Sequence, residues 1–156
     1  MKHSLFEFPE QAKIPPGQMS PLVLAYIGDG VYELLIRQHL AALANHRPNQ
    51  IHRLATQYVS AKAQSAILER WLPLLSEEEL NMVRRGRNAK SGSTPKNTDV
   101  LVYRHSTALE CLVGYLYCMG RQNRIGELME YVLDPTKAPG STPAEPLGAE
   151  AERGGV

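Results

Sequence analysis

The sequence predicts an all-α fold built as a single helical domain, on three observations. Apolar residues recur at helical spacing through most of residues 20–133, cap and stop residues bracket those recurrences, and strand candidates are almost lacking. VLVY at 100–103 is the most strand-like run, and four residues carry little weight. Residues 1–19 hold Pro9, Pro15 and Pro16 without a helical period and are expected to form an extended arm. Ser20 followed by Pro21 sets an N-cap and a proline at the first helical position, opening a helix that runs to about Leu43. Asn49 or Gln50 opens a second segment, and Ser60 caps a third, AKAQSAILERWL, which Pro73 ends. Ser76 with Glu79 makes a capping box for SEEELNMVRRGR. After the polar stretch NAKSGSTPKNTD, a fifth helix starts near Thr98 or Ser106 and runs to Met119, where Gly120 stops it. A sixth spans 123–133. Asp29-Gly30 is a turn dipeptide elsewhere, but helix formers flank it here, so Gly30 is read as a close-packing position. The tail from 134 to 156, with four prolines, four glycines and an acidic balance, is expected to be disordered.

Apolar residues make up 43% of the 156, enough for one core, yet no window approaches the ~20 apolar residues of a membrane span. Glu7 and Glu10 fall where a signal peptide would place its apolar centre, which argues against secretion. Cys111 and Cys118 lie seven residues apart on one helix, about 10 Å along its axis, too far for a bridge. A cytoplasmic, reducing compartment is therefore expected. The net charge of +1 hides an uneven distribution: residues 20–133 carry 13 basic against 10 acidic side chains. Arg84, Arg85, Arg87, Lys90 and Lys96 form one run that no acid interrupts, the footprint a polyanion partner requires, although such runs are more often solvated loops.

Two carboxylates stand out. From His105 to Gly120, Glu110 is the sole carboxylate in a helix apolar on most sides, and an unpaired charge buried there costs several kcal/mol. Asp29 shares a helix face with Leu22, Tyr26, Glu33 and Ile36, while Leu24, Ile27, Val31, Leu34 and Leu35 form a second face. A helix apolar on two sides has more apolar surface than one small core uses, so the face of Leu22, Tyr26 and Ile36 is expected to meet a second copy of the chain. Two part-buried acids on separate helices are the minimum constellation for a hard divalent cation such as Mg2+, whose other positions hold waters and a phosphate oxygen. Pairing of each acid with an arginine from elsewhere is the plainer alternative. Glu33, four residues from both Asp29 and Arg37, reads as a solvated ion-pair partner.

YIGDGVYELLIR (26–37) resembles the signature helix of the ribonuclease III family, and STALECLVGYLY (106–117) is similar to that family's second catalytic helix. YVSAKAQ (58–64), the run RRGRNAKSGSTPKNTDV (84–100) and the short length narrow the resemblance to the compact mini-ribonuclease III branch, over roughly residues 18–133. The resemblance implies a ribonuclease III-type endonuclease domain in which Asp29 and Glu110 are the catalytic acids and ligands of Mg2+. It also implies a homodimer cutting double-stranded RNA, with precursor 23S ribosomal RNA as substrate and a ribosomal protein as a candidate helper. RNA contacts would fall to Arg84, Arg85, Arg87, Lys90 and Lys96. Two acids of the full-length pattern are absent, with Leu22 seven residues before Asp29 and Thr107 three before Glu110. The rival readings are a non-catalytic helical RNA-binding module and a helical dimerisation domain.

Overall fold

A computed structural model describes residues 6–9, 12–43, 47–90, 94, 96–97 and 99–134. Among these described residues six α-helices follow one another: α1 (Pro21–Ala42), α2 (Pro48–Val59), α3 (Ala61–Trp71), α4 (Glu77–Asn88), α5 (Val100–Cys118) and α6 (Gln122–Leu133). Among the described residues there is no strand. VLVY falls in the first turn of α5, which Asp99 caps by accepting hydrogen bonds from the Leu101 and Val102 amides at 2.8 and 3.3 Å. Ser76 and Glu79 close the expected box on α4, at 3.2 and 2.8 Å, and Ser60 Oγ accepts from the Ala63 amide. Ser20 departs from expectation. It stands at the N-cap of α1 but its side chain makes no capping bond. The arm carries one 3-10 turn, Pro16–Gln18, before α1 begins. The disorder expected of the tail falls, beyond Asp134, outside the described residues.

Helix α5 lies at the centre, packed against α1, α3, α4 and α6, and most extensively against α1. Its Leu109, Leu112 and Leu116 are wholly buried against Leu24, Tyr32 and Ile36 of α1. Tyr32 also donates its hydroxyl to the Tyr58 carbonyl at 2.7 Å, tying α2 to α1. Two glycines let α1 and α5 touch backbone to backbone. A Cβ on Gly28 would stand 1.7 Å from the Glu110 carbonyl oxygen, and one on Gly114 would stand 1.8 Å from that of Leu24. Gly86 of α4 does the same job more loosely, 2.7 Å from Cys111 Cβ. Gly30, expected to be the close-packing glycine, has open space around it, because its side of α1 faces away from α5.

At the far end, Gly120 takes φ +72° to turn the chain from α5 into α6. Arg124 of α6 holds α4 by its first turn, donating to both oxygens of buried Glu79 at 2.9 and 3.0 Å and to the Leu74 carbonyl at 2.8 Å. No helix among the described residues is long and apolar enough to cross a membrane.

Candidate metal centre and its surroundings

The α1–α5 crossing decides where the two singled-out acids sit. Asp29 follows Gly28, the residue whose backbone lies against the Glu110 carbonyl, so both acids stand at the rim of this backbone-to-backbone helix contact. Asp29 is exposed there and Glu110 half-buried. Ser106, one turn before Glu110, donates its hydroxyl to Glu110 Oε1 at 3.2 Å and also faces Gln64 Oε1 of α3.

No ion pair among the described residues reaches either acid, so the expected arginine partner is not what accommodates them. Burial pushes the Glu110 carboxyl from its ordinary value of 4.5 up to about 7; the negative charge of Asp29 adds to the rise, the Ser106 hydroxyl opposes it, and Glu33 contributes last. Glu33 meets Arg37 at 3.2 Å on an exposed surface, as its spacing suggested. Among the described residues no three His, Cys, Asp or Glu side chains cluster as a metal cage. Two carboxylates are nevertheless a fitting donor set for Mg2+, which keeps most of its waters. The electrostatics agree, since a divalent cation would stabilise the ionised carboxyl against the burial that chiefly raises it and against the Asp29 charge that adds to the rise.

The basic run divides. Arg84, Arg87, Lys90 and Lys96 are exposed, Arg84 standing 3.8 Å from Glu77. Arg85 is turned inward. Its two terminal nitrogens donate to the carbonyls of Gly17 and Met19 at 2.9 and 2.8 Å, strapping the arm to α4. This sets it apart from the other four: part of its guanidinium is engaged within the chain, on Gly17 and Met19. The expected dimer face needs a correction. Leu22 and Tyr26 are 37% and 83% exposed, but Ile36 is fully buried, since it lies four residues beyond Tyr32 on the face held by α5. The outward apolar stripe of α1 is instead Val23, Tyr26 and Leu34, with Ile27 and Val31 half-buried beside it.

Residues 22–121 match the ribonuclease III domain family. A mini-ribonuclease 3 of Brevibacillus brevis is 51% identical over 121 residues, covering 78% of this chain and 90% of the relative. The chain belongs to the mini-ribonuclease 3 branch of the ribonuclease III family. A mini-ribonuclease 3 of Enterococcus faecalis is 46% identical over 118 residues, covering 74% of this chain and 89% of that one. The crystal structure of a Fusobacterium nucleatum protein superposes with a TM-score of 0.68 at 29% identity, over 76% of this chain and 94% of that one. The all-helical expectation therefore holds, and the chain is a ribonuclease III family endoribonuclease.

Within that family fold, the positions of the two absent acids come together. Leu22 and Thr107 line a recess of about 310 Å3 between α1, α4 and α5, which Lys90 and Arg104 also border. Thr107 donates its hydroxyl to the Tyr103 carbonyl at 3.1 Å. Gln64 and Ser106 are site residues that sequence reasoning missed. A signal existed for Gln64, because it falls at the apolar spacing of Ile67, Leu68 and Trp71, where a polar side chain needs a buried partner. Ser106 lies four residues before Glu110, within reach on one helix face.

Proposed function

We propose that this mini-ribonuclease 3 family chain is a Mg2+-dependent endonuclease for double-stranded RNA, acting in the cytoplasm as a homodimer that matures precursor 23S ribosomal RNA. The observation that supports this reading is the glycine-lined crossing of the helices that carry Asp29 and Glu110, with no ion pair to either acid among the described residues. Asp29 and Glu110 would hold Mg2+. The chemistry a bound Mg2+ supplies is activation of water at neutral pH and offset of charge on the leaving 3′-oxygen, which gives 5′-phosphate and 3′-hydroxyl ends. The protein contributes a close backbone contact between the helices that carry the two acids, and a Ser106 hydroxyl that donates to Glu110 Oε1.

A duplex has two strands to cut, and a twofold dimer presents two such rims. The outward stripe of Val23, Tyr26 and Leu34 supplies the apolar surface for that pairing. A-form RNA is gripped by its phosphates and 2′-hydroxyls, which suits the exposed Arg84, Arg87, Lys90 and Lys96. The test is a digest of labelled precursor 23S RNA with and without Mg2+, and with ribosomal proteins added in a parallel arm. Asp29→Asn and Glu110→Gln should each lower cleavage by about a thousandfold or more while duplex affinity stays near that of the parent. Cleavage by either variant at the parental rate would remove the assignment. Replacing Arg87 and Lys90 together by alanine should weaken duplex binding and flatten its salt dependence by roughly one unit for each phosphate no longer bound. Unchanged affinity and slope in gel shifts at two salt concentrations would move RNA binding elsewhere.

A further inference from the structure

Gln64 is 1% exposed and Ser106 is 6% exposed, so both polar side chains are committed to partners inside the protein. Ser106 Oγ faces two oxygens at once, Gln64 Oε1 and Glu110 Oε1. A hydroxyl has one proton and serves only one of two acceptors at a time. Turning the Gln64 amide end for end resolves the conflict. Its Nε2 then donates to Ser106 Oγ, and the serine proton is free for the ionised Glu110. Each group in that chain has a complementary partner, and the direction ends on the carboxylate oxygen.

We infer that Gln64 and Ser106 are positioning residues for the metal centre, forming a one-way hydrogen-bond chain from α3 through α5 that holds Glu110 Oε1 and points Oε2 at the cation. The inference rests on the reading of Glu110 as a metal ligand. Its physical reason is that a ligating carboxylate on a flexible side chain binds weakly unless its second oxygen is fixed, and such outer partners are worth roughly 10–100-fold in metal affinity. Gln64 is well placed for this: it belongs to a helix that packs on α5 independently of α1, so the metal ligand is braced from outside the α1–α5 crossing.

The experiment measures Mn2+ binding to RNA-free protein by the loss of its free-ion electron paramagnetic signal, together with cleavage as a function of Mg2+. Ser106→Ala keeps a good helix former and Gln64→Met keeps length without polarity, so the pair remains informative if one variant fails to fold. Each should bind Mn2+ about tenfold more weakly and need correspondingly more Mg2+ for half-maximal cleavage, with the rate at saturating Mg2+ within a few-fold of the parent. The double variant should lose no more affinity than the weaker single, as members of one chain do. Mn2+ affinity within about twofold of the parent in either folded single variant would overturn the inference, even if its Tm drops, since that is what a merely structural pair predicts. Glu110→Gln is the control. If it binds Mn2+ like the parent, the ligand reading itself has failed; if it loses binding while Ser106→Ala does not, only the positioning role has.

Discussion

Two glutamates of this fold, Glu79 on α4 and Glu110 on α5, are both drawn into the protein and end in opposite electrostatic states. Burial pushes the Glu79 carboxyl up, but the Arg124 guanidinium and the Ser76 amide and hydroxyl outweigh it and hold the group below its ordinary range. Among the described residues Glu110 is opposed only by the Ser106 hydroxyl, and burial, with the Asp29 charge added, raises it to about 7. The chain thus answers a buried carboxylate completely where it ties helices together. At the rim of α1 and α5 no basic side chain among the described residues pairs with the second one, as the proposed cation site requires. The contrast sets a carboxylate paired within the fold against one that is not, and the second is the proposed metal ligand.

Breaking the structural side should have the largest effect on stability. Arg124→Ala strands Glu79, which is 4% exposed at its side chain, and is expected to cost about 3–5 kcal/mol in denaturant unfolding. Cleavage at a temperature where the variant is folded should change far less. A loss under about 1 kcal/mol would mean that α6 is held by its apolar face alone, through Leu128 and Met129.

A smaller effect lies in pH, and the two acids have opposite signs. The folded pKa of Glu110 exceeds its unfolded value, so the metal-free native state binds the extra proton, and this contribution to stability falls as pH rises from about 4.5 to 7. Glu79 is depressed, so its contribution is present above about 4.5 and is lost as pH falls through its lower folded value. Unfolding followed across pH should show the upper slope vanish in Glu110→Gln and the acid limb soften in Glu79→Gln. Because a ligand must be ionised, Mg2+ affinity should also weaken as pH drops below about 7.

The helix order was legible in the sequence because caps are local: Ser60, Ser76 with Glu79, and Gly120 each act within a few residues. Asp29 and Glu110 were legible as charges in apolar helices. What could not be read were relations between helices. Gly28 rather than Gly30 is the contact glycine because α5 lies on one side of α1 and not the other. Ile36 is taken into the core for the same reason. Arg85 looks like its neighbours in the run, yet the carbonyls of Gly17 and Met19, far away in sequence, claim it. The bonds between α3 and α5 through Gln64 and Ser106 likewise exist only once the bundle forms.

Thermal unfolding of the parent and of Glu110→Gln, each with and without Mg2+ at neutral pH, tests the central claim most directly. If Glu110 is a carboxylate left uncompensated for a cation, metal-free Glu110→Gln is at least as stable as the parent, and Mg2+ raises the Tm of the parent alone. A Glu110→Gln protein that is clearly less stable without metal, and that Mg2+ stabilises as much as it does the parent, would contradict the account.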